Sequence, residues 1–102
     1  MDQVNRENKS PIPFNAFADF QETVSELGWY SKVIKNEISF HKASKDVTFR
    51  ILQDKIEVSV PLKDCDKNYV TSFKNYFEAQ EFGLMHINNT EEWINDEIND
   101  QI

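Results

Sequence analysis

WYSKVIKNEISFHKASKDVTFRILQDKIEVSVPL, residues 29–62, is the stretch in which hydrophobic periodicity falls to two. Ile38 and Phe40 alternate with Glu37, Ser39 and His41. Val47, Phe49 and Ile51 alternate with Asp46, Thr48 and Arg50. Ile56, Val58, Val60 and Leu62 alternate with Glu57 and Ser59. Side chains of an extended chain point to opposite faces in turn, so this pattern predicts half-buried antiparallel strands. The breaks at Asn36-Glu37, Ala43–Lys45 and Gln53-Asp54 are short enough for hairpins. Trp29–Lys35 supplies a further strand. Either Trp29, Ser31 and Val33 or Tyr30 and Ile34 could face inward there. The stretch therefore reads as a four-stranded meander.

Outward from it, the period is helical. Phe17, Phe20, Val24 and Leu27 recur at spacings of three and four, which predicts an amphipathic helix over about 14–27. Gly28 suits the left-handed residue that ends such a helix. Pro13 or Asn15 suits its start. On the other side, Val70, Phe73 and Phe77 predict a helix over about 67–81, capped by Asp64 or Asp66 and stopped by Gly83. Asn89 with Glu92 has the spacing of a capping box and predicts a short third helix. The expected fold is a two-layer α+β domain in the order α-β-β-β-β-α-α, with the helices on one face of the meander. Residues 1–12 read as a flexible arm, 13–87 as the domain, and 88–102 as an acidic C-terminal helix or tail.

At 102 residues the chain suits one domain with a modest core. Aromatic residues make up 13% of it, which a disordered chain would lack. The net charge of −7 hides a segregation. Residues 1–28 hold two basic and five acidic groups, residues 29–75 nine and six, and residues 76–102 none and seven. An acidic chain is repelled by phosphate and anionic lipid, so a basic protein partner is expected and a membrane is not. No apolar run suits a signal peptide or a membrane span, and a lone cysteine suits a reducing compartment, so the expected location is cytoplasmic.

Catalytic and metal signatures are weak. Asp64, Asp66 and Asn68 open like a calcium loop. Tyr69 stands where that loop needs glycine, and Asn75 where it needs glutamate. No histidine is spaced to activate Cys65, and only Gly28 and Gly83 exist to build a phosphate loop. The sequence thus predicts no enzyme, no metal and no cofactor. The order α-β-β-β-α resembles the double-stranded-RNA-binding domain in topology. That family places a basic cluster at its last helix, where this chain has Cys65-Asp66-Lys67-Asn68-Tyr69.

The leading expectation is a small non-enzymatic interaction module of the inhibitor, immunity, antitoxin or chaperone type, of a kind common among phage-encoded factors. Its predicted surface is the acidic C-terminal set Glu78, Glu81, Glu91, Glu92, Asp96, Glu97 and Asp100, with Trp93, Ile94 and Ile98 as apolar anchors. The alternative is a nucleic-acid-binding domain using Lys32, His41, Arg50 and Lys55 of the meander, regulated by the acidic tail. A homodimer joined through an open sheet edge is a third expectation.

Overall fold

The structure, a computed structural model, describes residues 14–63 and 65–100. The N-terminal arm, the helix start at Pro13 and the cap at Asp64 lie outside the described residues. The elements run α1 (Phe14–Glu26), β1 (Tyr30–Ile34), β2 (Glu37–Lys42), β3 (Lys45–Ile51), β4 (Ile56–Val60), β5 (Tyr69–Phe73) and α2 (Tyr76–Asp100). All five strands form one antiparallel sheet in chain order. The α+β class and the single covered face stand as expected. The count of four strands and the two C-terminal helices do not.

The first correction concerns Tyr69–Phe73. Its spacing of apolar residues suggested a helix, but Tyr-Val-Thr-Ser-Phe is all β-branched and aromatic apart from one serine. Such side chains lose rotamer freedom in a helix and fit a pleated surface. Paired with β4, the segment becomes β5, and Asp66 caps nothing. The helix begins instead after Asn75, whose Oδ1 accepts the Glu78 amide at 2.8 Å. Asn75 and Glu78 have the spacing of a capping box.

The second correction concerns Gly83, which was expected to end a helix. It sits within α2 because the helix lies against Phe49 there. A Cβ at Gly83 would come within 2.4 Å of the Phe49 ring. The glycine is present for close approach, not for a turn. With Gly83 helical, Asn89 and Thr90 lie inside the same helix rather than at a cap, and the expected boundary between residues 87 and 88 falls mid-helix. Thr90 is buried and donates its hydroxyl to the His86 carbonyl at 2.7 Å, so the polar side chain is satisfied by its own helix. Ala79, Gly83, Ile87, Thr90 and Ile94 form the buried row.

The end of α1 is as expected. Gly28 has φ +94°, Trp29 N–H donates to the Val24 carbonyl and Gly28 N–H to the Ser25 carbonyl. This is the Schellman arrangement, and it delivers Trp29 into the core. Phe49 is the hub of that core. Phe17, Phe20 and Phe40 meet it edge-on with ring centroids at 5.3, 5.2 and 6.0 Å.

Register assigns the faces. Tyr30 pairs with His41 and Ser31 with Phe40, so the parity of Trp29, Ser31 and Val33 is the inner one. The outer face carries Tyr30, Lys32, Glu37, Ser39, His41, Thr48, Arg50, Glu57 and Ser59. Ala43 and Ser44 connect β2 to β3 with φ of 51° and 69°. A two-residue hairpin needs left-handed residues there, and neither of these is the usual glycine or asparagine.

Candidate functional site

The segregation of charge along the chain becomes a segregation between layers. α1 carries Asp19, Glu22 and Glu26, α2 carries seven acids, and neither helix has a lysine or arginine. The basic residues from Lys32 to Lys74 belong to the sheet and its loops.

Between the two helices the acidic layer opens into a groove of about 230 Å³. Phe20 of α1 and Phe77 and Leu84 of α2 form its apolar walls, with Thr23 and Gln80 between them. Asp19 and Glu81 stand at its rim. Phe77 is 68% exposed, the most exposed large apolar side chain among the described residues. A phenylalanine left open on a helix costs hydration free energy that burial against another surface would recover.

The acidic residues expected to bind are distributed unevenly. Glu81 lies at the groove, Glu78 is exposed near the start of α2, and Glu92, Asp96, Glu97 and Ile98 are exposed farther along it. Asp100 is the last residue of the helix. Ile94 is buried and Trp93 half-buried. Trp93 is about 24 Å along the helix from Phe77, at ~1.5 Å per residue. Glu91 is engaged within the molecule. Its Oε2 accepts from Trp29 Nε1 and from Lys42 Nζ, both at 2.6 Å. Lys42 Nζ also donates to the Leu27 carbonyl at 2.6 Å, supplying positive charge at the end of α1. These contacts join α1, β2 and α2 at one point.

The residues of the alternative surface do not act as one basic patch. Arg50 reaches Glu37 at 3.0 Å and Glu57 at 3.5 Å, and Lys55 reaches Glu57 at 3.7 Å. His41 stacks under the exposed ring of Tyr30, with centroids 5.2 Å apart, next to Lys32 of β1.

Among the described residues, His86 is the one titratable group with a clear perturbation. Partial burial against Phe82, at 4.6 Å, lowers its pKa from the ordinary 6.5, and its Nδ1 is buried without a partner. Cys65 is exposed, and no histidine lines the hollow beside it. Among the described residues no three His, Cys, Asp or Glu side chains gather as a metal ion would require. Among them also, no helix is long and apolar enough to cross a membrane.

Sequence reasoning missed Asp19, Phe20, Phe77 and Leu84 as a set. The helix containing Phe77 was phased from Val70 and Phe73, which belong to β5, so Phe77 was assigned to the core. The signal that finds the groove is the capping pair Asn75 and Glu78, which fixes where α2 starts. No family model, no curated protein and no solved structure matches this chain.

Proposed function

We propose that this protein is a small non-enzymatic binding module whose helical layer takes up a basic, amphipathic segment of a partner protein, as an inhibitor or chaperone-like factor would. The observation that carries this reading is the groove between α1 and α2, apolar on its walls, with Asp19 and Glu81 as the charged residues of its lining. An amphipathic helix laid in such a groove buries its apolar residues against Phe20, Phe77 and Leu84. Its lysines and arginines would meet Asp19 and Glu81 at the rim, with Glu78 and Glu22 beyond. Exposed charges of this kind direct encounter and select against acidic competitors more than they add affinity.

A second reading, nucleic-acid binding, draws on Tyr30 stacked over His41 beside Lys32, since bases stack on such rings. It is weakened by Glu37 and Glu57, which hold Arg50. One experiment separates the two. The isotopically labelled chain is titrated with a helical Leu/Lys peptide and, separately, with a single-stranded oligonucleotide. The peptide is expected to shift amides around Phe20, Phe77 and Leu84. Phe77→Ser should weaken it about tenfold or more, as loss of an apolar anchor does. Shifts confined to the outer sheet face, or peptide affinity indifferent to Phe77→Ser, would refute the groove. Oligonucleotide shifts at Tyr30, Lys32 and His41 would establish the second reading instead.

A further inference from the structure

The two edges of the sheet are built differently. β1 places Lys32 at its centre and is followed at once by Lys35. A lysine on an edge strand is a common device against pairing with another chain. β5 is short and is followed by Lys74, but it carries no such device within the strand. Tyr69-Val70-Thr71-Ser72-Phe73 contains no charge, no proline and no glycine. Alternate residues of this strand direct their N–H and C=O groups away from β4, toward the open side.

The side chains on that edge are also unfinished. On the inner face, Tyr69 and Phe73 lie against Phe82 with centroids at 6.4 and 5.2 Å, and Phe82 lies against His86. Tyr69 is 49% exposed, and Phe73, Phe82 and His86 are only partly covered. On the outer face Val70 is 55% exposed. A row of aromatic rings and an open backbone edge thus occur together.

We infer that β5 is a self-association edge, on which two copies of this chain pair antiparallel about a two-fold axis at Thr71. The strand is self-complementary about that residue. Tyr69 of one copy comes opposite Phe73 of the other, twice, giving aromatic cross-strand pairs on the inner face. Thr71 meets Thr71, and Val70 comes opposite Ser72 on the outer face. The sheets become one continuous sheet, and the Phe82 rings of both copies enclose the new aromatic row. Such pairing closes on itself, and the Lys32 edges are left outermost. Charge opposes it, because α2, whose Phe82 lies on β5, carries seven acids and no lysine or arginine, so added salt should favour the dimer. The ladder is only five residues long, bounded by bends at Asp66-Lys67 and Lys74-Asn75, so the dimer is weak and concentration-dependent. The inference is independent of the groove between the helices.

The test is sedimentation velocity of the full chain over a dilution series, with hydrogen exchange of the β5 amides at each end of it. The wild-type chain is expected to shift from the 12.0 kDa monomer to twice that mass, and its β5 amides to become more protected as it does. Val70→Lys with Ser72→Lys sets like charges opposite each other twice and should weaken the dimer about tenfold or more. Val70→Lys with Ser72→Glu sets opposite charges there and should restore it. Both positions are exposed on the outer face, and circular dichroism checks that the variants are folded. A wild-type chain monomeric throughout, a dimer indifferent to the paired lysines, or a folded charge-swapped variant that stays monomeric would each overturn the inference. Binding of a foreign strand to β5 with no dimer would overturn it as well.

Discussion

Between Tyr76 and Ile87, α2 is seated by the absence of side chain. Ala79 and Gly83 let its backbone down onto Phe49, and Phe82 reaches out to β5. Between Asn88 and Asp100 the same helix is seated by two buried residues, Thr90 and Ile94, and by Glu91 clamped between Trp29 and Lys42. The difference shows how a helix with no lysine or arginine remains attached where the core thins out. It takes its countercharge from the sheet. Glu91 is thus removed from the acidic surface and given a structural role, while Glu78, Glu81 and Glu92 on the same helix stay exposed.

The largest effect is expected from breaking the clamp. Glu91→Ala leaves the Lys42 ammonium and the Trp29 N–H without their shared acceptor. Hydrogen bonds to charged groups contribute roughly 1.5–3 kcal/mol, so about 2 kcal/mol of stability should be lost in denaturant unfolding. Hydrogen exchange should accelerate in residues 88–100 well before 76–87. Uniform acceleration along α2 would show that its halves are not seated separately.

A smaller effect, with a sign opposite to helix propensity, is expected at Gly83. Alanine is favoured over glycine within a helix by about 1 kcal/mol. Here its Cβ would press into Phe49, whose ring is fixed by Phe17, Phe20 and Phe40, and overpacking costs about 1–3 kcal/mol. Gly83→Ala should therefore lower the melting temperature. A rise would mean that the close approach is not what Gly83 is for.

The smallest effect belongs to His86, near the junction of the halves. Its folded pKa lies below 6.5, so the unfolded chain binds its proton more readily. The stability it contributes is fully present above 6.5 and is lost as pH falls through 6.5 toward the folded value. Comparing unfolding midpoints of wild type and His86→Gln at about pH 7.5 and 5.5 isolates this term from the carboxylates. The variant should lose less on acidification. An equal loss would remove His86 from the account.

Most of the sheet was legible in residues 29–62 because β2, β3 and β4 have one wet face and one dry one. Alternation is written into such strands. β5 was not legible, because neither of its faces is fully covered. Tyr69, Val70 and Phe73 are all apolar and carry no alternation to read. Gly83 was legible as a special position but not as the kind it is, since contact with Phe49 depends on the tertiary fold. The acidity of the helices was visible as a run of letters. The groove was not, because it needs Phe20 and Phe77, far apart in the chain, to be phased together.

The order of the strands has a kinetic consequence. Each strand pairs with its neighbour in sequence, so the sheet can zip one hairpin at a time, and each step closes only a short loop. The distant closures fall to α2, which joins Glu91 to Trp29 across 62 positions and to Lys42 across 49. During synthesis α2 is also the last described element to emerge. The meander is then a template formed early, its dry face open until the final helix docks and Glu91 locks it down.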